Sequence, residues 1–186
     1  MIRSHSLRLA RVLFAAALGL AVIETHADAP APTKEQQKFE VRFLTNMIDH
    51  HAMAVEMAKL CEGRAVHPEF LEMCAQIQTS QAAEIETMRS WLQDWYGTDH
   101  TPEMKNAAER QMEMLRGLSG EAFEIAFMEM MIPHHASAIE SATECLLEAH
   151  HAEMLNLCSM MIGAQGDEIA QMRLWLCQWY EHCDLK

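Results

Sequence analysis

Nothing in this chain is built to cradle a phosphate. Its 7 glycines are scattered through 186 residues and never form a glycine-rich loop. No serine-nucleophile motif is present, which removes the usual signature of acyl-transfer catalysis. Basic charge is scarce: 14 Lys and Arg stand against 27 Asp and Glu, a formal net charge of −13. Such a surface disfavours nucleic acid and anionic lipid as partners. Alternation of apolar and polar residues with a period of two is also rare, so no strands are expected.

Long apolar runs are missing too, except at the start. MIRSHSLRLARVLFAAALGLAVIETHADAPAP places Arg3, Arg8 and Arg11 before an apolar run from Val12 to Ile23, then the small-residue pattern Thr25-His26-Ala27. Residues 1–27 read as a secretory signal peptide, with an uncleaved anchor as the alternative. Cleavage would remove three Arg and one Glu, moving the formal charge from −13 to −15. The mature domain, 28–186, is then expected to be periplasmic or otherwise exported, with no stable membrane insertion after cleavage.

What the sequence does contain is a duplication. Residues 39–96 and 123–180 align without a gap at an offset of 84, and HH, Glu56/Glu140, Gln81/Gln165, Glu84/Glu168, Met88/Met172 and a WLxxWY ending recur. Self-similarity of this kind marks a repeated structural unit. In the first unit Phe43, Leu44, Met47, Ile48, His51, Ala54, Val55, Ala58 and Cys61 share one side at about 100° per residue. Gly63 and Pro68 punctuate the break, and Phe70, Met73, Ile77, Met88, Trp91, Leu92 and Trp95 line a second helix. Two antiparallel hairpins make an all-α, ferritin-like four-helix bundle. The linker, 97–122, is expected to hold a short helix from Pro102 to Arg116, with Ser119 as N-cap of the next long helix.

The six cysteines are arranged by the repeat. Cys61 and Cys74 flank the break in unit one, and Cys145 and Cys158 flank it in unit two. Disulfides Cys61–Cys74 and Cys145–Cys158 are expected in an exported protein, the alternative being four free buried thiols. Cys177 and Cys183 bridge if the last helix ends between them. Equal distances from a crosslink mean equal heights in an antiparallel pair, because both helices rise about 1.5 Å per residue. That arithmetic sets His51 opposite Glu84, Met47 opposite Met88, His135 opposite Glu168 and Met131 opposite Met172.

Adjacent helical residues point about 100° apart, so the paired histidines differ in role. His51 and His135 fall within the apolar faces; His50 and His134 fall toward the edges, beside Met47 and Met131. Glu84 and Glu168 within an apolar face must be paired, protonated or bound to a cation. Pro133 cannot donate to the carbonyl of Glu129, and a kink there would make room for a ligand. A histidine–glutamate hydrogen bond that merely sets helix register is the competing reading. Most of the 16 methionines are core filler; those around HH (Met47, Met53, Met57, Met128, Met130, Met131) are the better ligand candidates. His67 and His151, near Glu69 and Glu153, read as solvated turn residues or a second exposed site. Trp91, Trp95, Trp175 and Trp179 are expected to close one end of the bundle.

The stretches MIDHHAMAVEMA and FMEMMIPHHASAIESA, each followed by QxxEIxxMRxWL, resemble the family called domain of unknown function 305, in particular its CopM-like periplasmic copper-binding proteins. The resemblance implies a ferritin-like bundle and, for some members, copper handling or resistance. By motif match it carries over Met47, His50, His51, Met53 and Met57 in unit one and Met131, His134 and His135 in unit two. Ser137 and Ser141 stand where unit one has Met53 and Met57. Thioether and imidazole together favour Cu(I); imidazole alone also suits Cu(II) and zinc. The expected function is copper sequestration, resistance or transfer without catalysis, with a metal ion and another copper-handling protein as partners. The alternatives are a di-iron or di-manganese oxidase-type enzyme and a metal-free bundle that is structural or binds a partner. Di-metal sites of that kind need a Glu from each of two helices and Glu-x-x-His from the other two; the nearest such motif, Glu148–His151, lies at a turn.

Overall fold

The computed structural model describes residues 29–103 and 106–183; the expected signal peptide lies outside them. Five helices follow in order: α1 (Lys34–Lys59), α2 (Pro68–Tyr96), α3 (Asn106–Arg116), α4 (Glu121–Glu148) and α5 (Ala152–Tyr180). The four long helices form the bundle, and no strand occurs among the described residues. Hairpins α1–α2 and α4–α5 each pack mainly within themselves and meet along α1 and α4. No helix among the described residues is long and apolar enough to cross a membrane.

Local chemistry explains the helix ends. Thr33 caps α1 by accepting from the N–H of Gln36 at 3.2 Å. Pro68 opens α2, where its missing N–H costs nothing. α2 stops at Gly97, whose φ of 60° is cheap only for glycine. The repeat puts Glu181 at the matching end of α5, and it takes the same left-handed conformation at φ 61°. A non-glycine residue there costs about 1 kcal/mol. The Cys177–Cys183 bridge encloses this turn, since the last helix does end between the two cysteines. Cys61–Cys74 and Cys145–Cys158 are bonded as expected, both with Cα atoms 6.4 Å apart.

Two expectations for the linker are corrected. The short helix begins at Asn106, not Pro102, because the chain at 103 is tied to α1: the N–H of Glu103 and Nε2 of His100 both donate to Asp49 Oδ1, at 2.9 and 2.7 Å. This also explains why Asp49 stands where unit two has Pro133, through which α4 runs on without a break. The N-cap of α4 is Gly120 rather than Ser119. Its N–H reaches the carbonyl of Arg64 at 2.7 Å, and its φ of 62° is open to glycine.

The hairpins dock head to tail, so the turn of each lies against the open end of the other. Trp95 stacks on His151 with ring centroids 3.8 Å apart, and Trp179 on His67 at 3.9 Å. The tryptophan pairs therefore sit at opposite ends, contrary to the expectation of one shared end. The apolar core divides accordingly. One cluster joins Phe39, Phe43, Leu44 and Ile48 to Leu92, Trp95, Met154 and Leu157. The other joins Met57, Phe70, Ile77, Phe123, Phe127 and Leu176, with Met112 and Leu115 of α3 added.

At each end a buried carboxylate spans the repeats. Glu40 Oε1 accepts from the N–H of His150 and His151 at 2.7 and 3.1 Å, and its Oε2 accepts from His151 Nδ1 at 2.6 Å and from the hydroxyl of Tyr96. Glu124 does the same with the N–H of Val66 and His67, His67 Nδ1 and Tyr180. Both glutamates are fully buried. Each thus caps the helix N-terminus of the other repeat, where the macrodipole favours an anion. His67 and His151 are accordingly not free turn residues, and their acids are Glu124 and Glu40, not Glu69 and Glu153.

Burial opposes ionisation of Glu40 and Glu124. The tyrosine hydroxyls, backbone N–H groups and imidazoles together outweigh it and hold both carboxyls below the usual carboxylate range. Their contribution to stability is therefore present above about pH 4.3 and is lost as pH falls through the folded-state value. Glu124→Ala should cost about 3 kcal/mol in urea denaturation at pH 7, by stranding buried donors. A loss within error of zero would show the cap to be dispensable.

Candidate metal centre at the bundle midplane

Between the two core clusters lies a polar layer. His51 is fully buried, and its Nε2 lies 2.7 Å from Glu84 Oε2. His135 and Glu168 repeat the arrangement at 2.6 Å. A carboxylate can only accept, so each Nε2 carries the proton. The heights reckoned from the disulfides thus match the contacts. Glu84 and Glu168 keep 23% and 20% of their side chains exposed, which reduces the desolvation that a wholly buried carboxylate would suffer.

His50 and His134 occupy the α1–α4 seam and stack on one another, ring centroids 3.6 Å apart and planes 30° from parallel. They are equivalent residues, so the pseudo-twofold axis relating the repeats passes between their rings. His50 Nε2 donates to the carbonyl of His134 at 3.1 Å and lies 3.0 Å from Ser137 Oγ. The Ser137 hydroxyl itself donates to that carbonyl at 2.8 Å.

Five buried imidazole nitrogens find no hydrogen-bond partner: Nδ1 of His50, His51 and His135, and both nitrogens of His134. Such groups are uncommon in native interiors and call for an explanation. Burial, reinforced by the neighbouring imidazoles, lowers the pKa of His50 to about 4 and that of His134 to about 2. Both rings are therefore neutral at pH 7 and present lone pairs, as metal coordination by histidine requires.

The expected thioethers are distributed around this layer. Met47 and Met88 belong to the first core cluster, and Met57, Met131 and Met172 to the second, with Met53 packed against it. No group of three or more His, Cys, Asp or Glu able to hold a metal converges among the described residues. A soft-metal ion here would have methionine sulfur as well as imidazole nitrogen to draw on. The residues present fit such an ion in kind: neutral imidazole lone pairs beside thioethers. Sequence reasoning missed Glu40 and Glu124, with Tyr96 and Tyr180. The signal was available, since an acid follows a phenylalanine in both repeats and matches across the offset of 84.

Fold and site together define a duplicated four-helix bundle with a histidine-rich, thioether-flanked midplane. Residues 40–176 match the family described as Domain of unknown function (DUF305), and the chain belongs to that family. Among solved structures it is similar to CopM in the Cu(I)-bound form, at 29% identity and a TM-score of 0.68 over 76% of this chain and 97% of that one. The Cu(II)-bound form of CopM gives 29% identity and 0.69 over the same shares, and CopM has also been solved in Ag-bound form. A DUF305 protein from Streptomyces coelicolor, at 23% identity and 0.67 over 75% of this chain and 91% of that one, shares the fold. No curated protein matches the chain.

The depressed histidine pKa values predict a pH dependence with a definite sign. An unfolded histidine titrates near pH 6.5. Below that pH the unfolded chain binds protons that folded His50 and His134 refuse, so stability falls as pH drops from about 6.5 toward about 4. The slope is at most about 1.4 kcal/mol per pH unit for each ring. Urea melts of the metal-free protein across that window should show the decline, and His50→Gln with His134→Gln should flatten it.

Proposed function

We propose that this protein is an exported copper-binding protein that sequesters or passes on Cu(I), using histidine and methionine side chains at the midplane of its bundle. The observation that carries this reading is the set of buried imidazole nitrogens without hydrogen-bond partners. A metal ion accounts for one bare lone pair on each of these rings; register-setting alone accounts only for the nitrogens bonded to Glu84 and Glu168. The donor pool is His50, His51, His134 and His135 with Met47, Met53, Met57 and Met131. Glu84 and Glu168 then orient His51 and His135, as outer-shell carboxylates commonly do for metal-binding histidines. Met88 and Met172 supply further thioether bulk at the same height.

The copper- and silver-bound structures of CopM support this choice of metal. Thioether and imidazole donors prefer Cu(I) over harder ions, with Cu(II) and zinc as weaker candidates through imidazole alone. The copper is cargo in this reading, and no reaction is assigned to the chain. A di-iron or di-manganese enzyme draws no support from a midplane whose two carboxylates are each bonded to an imidazole. Export is inferred from the leader-like residues 1–27 and from three disulfides, which persist in oxidising compartments.

The test is competition against a chromophoric Cu(I) chelator under anaerobic conditions. The wild-type protein should withdraw Cu(I) from it, and His50→Ala with His134→Ala should weaken binding by about a hundredfold or more. Failure of the wild type to compete, with no copper found on elemental analysis of the exported protein, would reject the proposal.

A further inference from the structure

The repeat symmetry relates the surroundings of His50 to those of His134, yet the two surroundings differ in chemistry. Beside His50 lies a cleft of about 130 Å³ between α1 and α4, lined among others by Arg42, Asn46, Met47, Ser141 and Glu144. Ser137 completes it by its contact with His50 Nε2. The Arg42 guanidinium lies 3.5 Å from Glu144. This cleft therefore offers hydroxyl, amide and an internally neutralised ion pair, with Met47 as its one thioether.

Moving each of these positions by the offset of 84 gives the counterparts around His134. Arg42 corresponds to Ala126, Asn46 to Met130, Met47 to Met131, Ser137 to Met53, Ser141 to Met57 and Glu144 to Leu60. Every charged, amide or hydroxyl group of the first cleft is replaced by hydrocarbon or thioether. The packing agrees with this mapping: Met57 and Met131 share the second core cluster, and Met53 and Met130 pack against it. The motif match pairs Met53 and Met57 with the histidines of their own repeat, whereas the fold places them on the side of His134. His134 also differs from His50 in its bonding. Its ring makes no hydrogen bond as close as those of His50 and has only a weak interaction with the backbone of His50, and a thioether stands where Ser137 meets His50.

We propose that the chain holds a single tight Cu(I) site, assembled across the repeats from His134 and the thioethers of Met53, Met57, Met130 and Met131. The inference rests on the copper reading above and deepens it. A soft monovalent ion selects sulfur and imidazole over hydroxyl and amide oxygen. The mirror cleft at His50, with a guanidinium at its edge, is not a second Cu(I) site. Duplication would suggest two equal sites per chain; the substitutions between the repeats leave one.

Two single substitutions at positions outside the fully buried core separate the clefts: Met53→Ser and Ser137→Met, each first checked for an unchanged far-ultraviolet circular dichroism spectrum. Anaerobic competition titration of the wild type should find one tight Cu(I) equivalent. Met53→Ser should weaken it by about ten- to hundredfold, while Ser137→Met leaves it in place. X-ray absorption of the Cu(I)-loaded wild type should show a shell dominated by sulfur with a nitrogen contribution, and less sulfur after Met53→Ser. Two equal tight sites, or a nitrogen-only shell with Met53→Ser unchanged, would overturn the asymmetric site while leaving copper binding intact. A wild type that binds no Cu(I) would overturn both readings.

Discussion

Each repeat places a buried carboxylate against the first turn of a helix belonging to the other repeat, and the rest of the architecture follows from this exchange. An ionised glutamate taken out of water loses several kcal/mol of hydration. Glu40 recovers it from two backbone N–H groups, an imidazole and a phenol, and Glu124 does likewise. In both cases the backbone donors and the imidazole sit on the opposite hairpin. A hairpin alone would leave its acid without those partners and a helix N-terminus uncapped. Docking in any other direction or register would do the same. The head-to-tail arrangement is thus selected by the polar groups at the ends, and the apolar faces between them supply adhesion without direction.

Clamping both ends has a consequence at the centre. The two core clusters are fully formed near the turns, where phenylalanine and tryptophan fill the interior, and the polar residues gather between them. His51–Glu84 and His135–Glu168 satisfy one nitrogen of each inner histidine and fix which atom carries the proton. His50 and His134 meet on the pseudo-twofold axis, where equivalent residues must face one another. That position is constrained by symmetry while its flanks are free to diverge. Divergence is what the two repeats show, with serines on one flank and methionines on the other.

Much of this was legible in the sequence. The offset of 84 located two hairpins, the cysteines either side of each break set the register within a hairpin, and counting residues from them put His51 level with Glu84. Such arguments succeed because a helix has a constant rise and a crosslink removes the remaining translational freedom. They say nothing about how one hairpin lies against another. Hence the sequence pattern predicts the tryptophans together at one end, whereas they stand at both. For the same reason spacing alone makes His67 and His151 turn residues, although each holds a carboxylate from across the bundle. The starts of α3 and α4 also depart from expectation, through hydrogen bonds of Glu103 and His100 to Asp49 and of Gly120 to Arg64 that join segments distant along the chain.

By itself, then, the sequence determined what repeats, what pairs within a hairpin and which donor atoms are in supply, because periodicity and spacing are properties of one chain segment at a time. Tertiary structure alone decided which repeat's methionines stand beside which repeat's histidine. That choice depends on the relative direction of two hairpins, and the direction is set by a few buried hydrogen bonds between residues 57 and 111 positions apart. No local pattern encodes such contacts, since they exist only once both partners have folded.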